Sequence, residues 1–167
     1  PLPLDELAAD FDLADFGHGT PRFDPKQLLA LNRRVLHGLS FEEVRDRLPE
    51  GATEAFWLAI RGNLDLLSEA RFWWQVTNGD IDSVDLPEAK GLLAAARAAL
   101  PDEPWNENSW KGWTMAVSAA TGARGKALYL PLRLALTGEA HGPELAPLLP
   151  LIGRERAMAR LDRAIGA

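Results

Sequence analysis

No cysteine occurs in the 167 residues. That rules out a disulfide framework and any thiolate metal site, and it suits a reducing, cytoplasmic setting. Histidine is scarce as well: His18, His37 and His141 stand far apart, without the spacing of metal ligands. No apolar run approaches the roughly 20 residues that a membrane-spanning helix needs. The alternation of apolar and polar residues that marks a half-buried strand is also missing, so nothing calls for a sheet. The chain opens on Pro1 without a methionine or a signal-peptide pattern. It is expected to be a piece of a longer protein.

What is present describes a folded, helical protein. Hydrophobic residues make up 47% and charged residues 25%, a globular balance with enough chain for a real core, as one domain or two small ones. The net charge of −6 argues against generic nucleic-acid binding, but its distribution does not. Residues 1–120 hold 11 Lys and Arg against 20 Asp and Glu, a net −9, whereas residues 121–167 hold 7 against 4, a net +3. An acidic body with a basic end fits local contact with RNA. The plainer account is that Arg154, Arg156, Arg160 and Arg163 solvate one terminal helix.

Helix signals run along the whole chain. Residues 1–23 read as a tail of a preceding domain. Asp24 and Pro25 give an N-cap and a first helical residue, Leu28, Leu31 and Val35 an apolar face, and Gly38 a stop. Ser40 with Glu43 forms a capping box for a short helix that ends at Pro49. Thr53 to Val76 reads as a helix broken near Gly62, with Asn63 able to cap its second piece. Asn78-Gly79-Asp80 is a helix–helix loop, and an alanine-rich helix from about Pro87 closes at Pro101. A helix from about Asn106 to Ala120 carries Trp110, Trp113 and Val117 on one face and ends at Gly122. His37, near a helix end, is expected to cap or face solvent. The fold class is all-α, with a composition shift near residues 77–88 dividing two small helical bundles, 24–86 and 87–167.

The stretch from Thr121 to Gly153 concentrates the functional signals. Two Gly-marked turns bracket an apolar helix, about Lys126 to Leu136, whose only charge past Lys126 is Arg133. An isolated arginine on an apolar helix is costly unless its guanidinium has a partner, and Glu139 and Glu144 are the nearby carboxylates. Pro131 should kink this helix or mark its true start. The loop from Gly138 to Pro143 is shaped by two glycines, a histidine and a proline, and a short segment from Gly142 leads to the terminal helix, Arg154 to Ile165. The TGARGKA turn is not a phosphate loop: two residues separate its glycines where four are needed, and Ala127 stands where a magnesium-binding hydroxyl belongs. Lys126 remains available to an RNA phosphate. Six tryptophans invite base stacking, but their helical spacing favours packing in the core, with Trp105 the least secure of them. No carboxylate pair or nucleophile–base pair supports catalysis.

The blocks GKALYLPLRLALTG, HGPEL and LIGRERAMARL, with PRFDPKQLLALN and SEARFWW upstream, resemble the C-terminal anticodon-binding region of bacterial glutamyl-tRNA synthetases over nearly the whole chain. The resemblance implies two helical bundles in series, the second meeting the end of the anticodon loop, in a monomeric, cytoplasmic protein. It implies that the partner is glutamate tRNA and that Arg133 and the turn residues Gly142, Pro143 and Leu145 touch anticodon-loop nucleotides. Arg124 and Lys126 flank them. It places an Arg that reads the third anticodon base near Arg61 and Asn63, with Asn63 aligned on it. The family's ATP, glutamate and magnesium belong to a catalytic domain whose two signature motifs are absent here, so no catalytic residue, metal or cofactor is expected and the chain should be inactive alone. A helical protein-interaction module is the alternative of another class; a small hydrolase lacks support.

Overall fold

The structure is a computed structural model, and it describes residues 4–166 except 16, 18, 20–23, 83 and 107. His18 therefore lies outside the described residues. Every regular element among them is helical. The first, α1 (Leu4–Ala9), and a 3-10 turn at Leu13–Asp15 bury no side chain.

Helix α2 (Pro25–Gly38) starts as its sequence dictates: the Asp24 carboxylate accepts from Lys26 N–H at 2.9 Å, and Pro25 opens the first turn. Its expected apolar face is not the buried one. Leu28, Leu31 and Val35 stay 53%, 45% and 44% exposed, while Leu36 is buried. The packed face is polar and hydrogen-bonded. Asn32 donates to the Asp65 carbonyl at 2.5 Å, Arg33 Nη2 to the Asp65 carboxylate at 2.6 Å, and the His37 ring bonds the Leu64 carbonyl at 2.8 Å. His37 thus makes a tertiary contact rather than a cap. Gly38 is the last helical residue, and Leu39, at φ −67°, takes the chain out.

The capping box of α3 (Phe41–Val44) is complete: Glu43 N–H reaches Ser40 Oγ, and the Glu43 carboxylate accepts from Ser40 N–H at 2.7 Å. Those bonds from the Ser40 backbone and hydroxyl hold the Glu43 carboxyl below the usual range. A 3-10 turn, Arg45–Arg47, leads to Pro49. Thr53 caps α4 (Glu54–Ile60), which inserts Phe56, Trp57 and Ile60 into the core. The break expected near Gly62 is a 3-10 turn, Arg61–Asn63. Asn63 caps nothing: α5 (Ala70–Asn78) begins seven residues later, after a second 3-10 turn, Leu67–Glu69.

A 3-10 turn at Pro87–Ala89 precedes α6 (Lys90–Ala98), followed by α7 (Ser109–Thr121), α8 (Lys126–Thr137), α9 (Leu145–Ile152) and α10 (Arg154–Ile165). Small residues let α6 lie close against α7 and α10, and Trp113 donates its indole N–H to the Ala96 carbonyl at 2.8 Å. Helix α9 packs on α4, α5 and α7, so one core runs from Leu36 to Ala164.

Arg160 holds three of these elements together. It is 2% exposed, and its guanidinium donates to the carbonyls of Leu136 (2.6 Å), Val76 (2.7 Å) and Gly79 (2.8 Å). These carbonyls lie at the C-terminal ends of α8 and α5, which lack intrahelical partners and carry the negative end of the helix dipole. Burial, with help from the neighbouring charges of Arg156 and Arg163, pushes its pKa down to about 10, so it remains a cation at neutral pH. The other terminal arginines are also engaged. Arg154 reaches the Pro101 carbonyl, Arg156 the Ile152 carbonyl, and Arg163 pairs with Asp80. The picture of four arginines solvating the terminal helix fails for buried Arg160, whereas Arg156 and Arg163 stay exposed and Arg154 is half-buried.

Candidate nucleic-acid interface

Helix α8 faces two ways. Leu128, Leu132, Ala135 and Leu136 enter the core, while Gly125, Tyr129 and Arg133, four residues apart, line the side away from it. Pro131 lies inside the helix, five residues past its start, so it does not mark the beginning. It leaves the Ala127 carbonyl without its helical donor. Gly138, in the left-handed conformation at φ +75°, ends the helix. Thr137 Oγ1 donates to the Arg133 carbonyl at 2.8 Å and accepts from Glu139 N–H at 3.2 Å, fixing the first step of the loop.

The far end of that loop is fixed by Gly142. Its φ of +142° disfavours a side chain, and a Cβ there would overlap the Trp73 ring. The loop is thereby pressed onto a buried tryptophan of α5, and the next carbonyl, that of Pro143, is presented to Arg133. Arg133 Nη2 donates to it at 2.8 Å. Neither Glu139 nor Glu144 pairs with Arg133, so the ion-pair alternative is corrected: its protein partner is a backbone carbonyl. Its other terminal nitrogen, Nη1, is shielded from solvent and has no hydrogen-bond partner. Burial pushes the guanidinium pKa down.

Arg133 forms one wall of a pocket of about 270 Å³ completed by Trp110, Tyr129, Glu144, Leu145 and Ala146. The rings of Trp110 and Tyr129 lie 6.2 Å apart, tilted by 36°. Leu145, expected to offer an apolar edge, is only 4% exposed; it belongs to the core and presents to the pocket only what remains. Pro143 is likewise buried. Trp57, Trp73 and Trp113 are buried, as their spacing implied. Trp105 is half-buried, with its indole N–H on the Pro101 carbonyl. Trp110 is half-buried too, edge-on to Trp113, and is the one tryptophan that also lines this pocket. The sequence signal for Trp110 and Tyr129 was available: both sit on the α7–α8 hairpin, one turn before Arg133 or facing it.

The structure thus brings together Arg133, Gly142, Pro143 and Leu145. Arg124 is exposed and lines a second pocket between α7 and α8, and Lys126 is exposed beside it. Exposed His141 lines neither pocket. Arg61 and Asn63 lie elsewhere: Arg61 Nη1 donates to the Leu39 carbonyl at 3.0 Å, and the side chain of exposed Asn63 makes no hydrogen bond among the described residues. No group of three or more His, Cys, Asp or Glu among the described residues is placed to hold a metal ion. No helix among the described residues is long and apolar enough to cross a membrane.

Known proteins bear directly on this arrangement. The family described as Anticodon binding domain matches residues 64–165. Glutamate–tRNA ligase 2 of Acidiphilium cryptum is 73% identical over 99% of the chain, and that of Granulibacter bethesdensis 56% identical over all of it. The chain spans only 37% and 38% of these two curated relatives. A crystal structure of a glutamate tRNA ligase from Elizabethkingia meningosepticum, 20% identical, shares the fold with a TM-score of 0.81 over 99% of this chain and 37% of its own. The chain belongs to the anticodon binding domain family.

Proposed function

We propose that this chain is the anticodon-binding region of a glutamate–tRNA ligase and grips the anticodon stem-loop of glutamate tRNA for a catalytic domain outside these residues. One observation carries the reading. Arg133 lines an open pocket together with two aromatic rings, and one of its terminal nitrogens is buried without a hydrogen-bond partner. A buried donor without an acceptor costs roughly 1–3 kcal/mol, and a small turn of the guanidinium toward an acceptor on an unstacked base would relieve it. Single-stranded loops are read in this way, by stacking on aromatic rings and hydrogen bonds to base edges. Pro143 serves through its carbonyl, which aims Arg133, and Gly142 through the turn that presents it.

The test is a titration of the chain with glutamate tRNA and with an unrelated tRNA. Arg133→Ala should weaken binding to glutamate tRNA by about 1–3 kcal/mol while the melting temperature stays within a few degrees. Equal binding of both tRNAs, or a large loss of stability without loss of affinity, would overturn the reading. For the third anticodon base we favour Asn63 over Arg61. Its amide is exposed and unbonded, and it carries both donors and an acceptor, compatible with cytosine or guanine. Asn63→Arg in the full-length ligase should then reduce glutamylation of glutamine tRNA relative to glutamate tRNA. An unchanged ratio would remove Asn63 from the site.

A further inference from the structure

We infer that Tyr129 is a stacking partition that separates two neighbouring unpaired bases of the bound loop, one on each face of its ring. This rests on the function proposed above and adds a second base site to it. Tyr129 is a member of both pockets on the α7–α8 hairpin. One is the Arg133 pocket, about 270 Å³. The other is a pocket of about 360 Å³, lined also by Met115, Ser118, Arg124 and Gly125. Both are near the lower end of the range for small-ligand sites, roughly 300–1,000 Å³.

The chemistry of the second pocket suits a base. Met115 is 63% exposed and Tyr129 47%, an unusual outlay of polarizable apolar surface on a helix pair whose other large side chains are packed away. Gly125, at φ +54° with open space where a Cβ would be, leaves the floor bare. Each pocket has one arginine, Arg133 at the first and Arg124 at the second, and the single carboxylate among the lining residues of the two is that of exposed Glu144. Two π-accepting spaces, each with a cation and sharing one aromatic wall, match two consecutive nucleotides of an RNA loop.

Tyr129 is half exposed, so it can be replaced without opening the core. The experiment measures binding of the chain, and of its Tyr129→Ala and Tyr129→Phe variants, to the anticodon stem-loop RNA of glutamate tRNA. Loop nucleotides are replaced one at a time, and in neighbouring pairs, by abasic residues. Base–aromatic stacking predicts that Tyr129→Ala loses about tenfold to a hundredfold in affinity and that Tyr129→Phe retains most of it. Removing either of two adjacent bases should abolish about half of that loss on a logarithmic scale, and removing both should abolish all of it. Coupling to a single position, to none, or to two non-adjacent positions overturns the partition. If Arg133→Ala still couples to one base in that case, the proposed function stands and only this inference falls. If the unaltered chain does not bind the stem-loop, both fall together.

Discussion

Arg133 spends one terminal nitrogen on a backbone carbonyl and leaves the other unbonded; Arg160 spends both, on three carbonyls. The first arrangement leaves a buried donor unpaired, and the second closes two helix ends. Arg160→Met should therefore lower stability by about 3 kcal/mol or more, because it strands buried acceptors. For a chain of this size that is about 6 °C or more in melting temperature, read by thermal unfolding. An equal shift from Arg133→Ala would contradict the division of labour. The sequence made Arg133 conspicuous by surrounding it with leucines. Arg160 was hidden among four arginines, yet a signal existed: Ala157, Arg160, Leu161 and Ala164 follow helical spacing, so Arg160 stands in the middle of the buried face of α10. What sequence could not supply was the trio of carbonyls, two of them more than eighty residues away in the chain.

At the scale of elements, local chemistry was legible and tertiary choice was not. The Asp24 cap, the Ser40–Glu43 box, the Gly122 stop and the limits of α10 all depend on neighbours within a few residues, and all formed as read. The face that α2 buries depends on what lies across from it. There the Leu64–Asp65 turn offers two carbonyls and a carboxylate, so Asn32, Arg33 and His37 hydrogen-bond to it beside buried Leu36, and Leu28, Leu31 and Val35 stay exposed. Leu28→Gln combined with Leu31→Gln should change the stability of this chain by no more than about 0.5 kcal/mol per site, whereas Leu36→Ala should cost about 2–5 kcal/mol. Urea unfolding of both variants checks the assignment. The same contacts set the acid response. Hydrogen bonds from Arg33 to Asp65, and from Ser40 to Glu43, hold both carboxyls below their usual range. Groups of depressed pKa contribute stability that is complete above the unfolded carboxylate range, roughly pH 4, and is lost as pH falls through their lower folded values. The Glu43→Gln, Asp65→Asn double variant should thus show a shallower decline in urea midpoint on acidification than the unaltered chain. Parallel declines would mean that neither bond persists in solution.

Over the whole molecule, charge decides how RNA can approach. The chain is acidic overall, and the basic excess of residues 121–167 looked in sequence like one surface. The structure divides it. Arg154, Arg156, Arg160 and Arg163 are committed to carbonyls and carboxylates of the protein, while Arg124 and Lys126 are exposed, without an ion pair among the described residues, at the N-terminal end of α8. Backbone contacts should therefore be few and confined to that end, with the acidic body repelling phosphate elsewhere. Each phosphate neutralised on a single strand contributes about 0.7 to the slope of log affinity against log salt. Arg124→Gln combined with Lys126→Gln should accordingly flatten the slope for the anticodon stem-loop by about 1.4, measured by fluorescence anisotropy between about 50 and 200 mM salt. Arg154→Gln with Arg156→Gln should leave the slope as it was. The opposite result, a slope carried by α10, would move the RNA to the other side of the bundle and detach it from the Arg133 pocket.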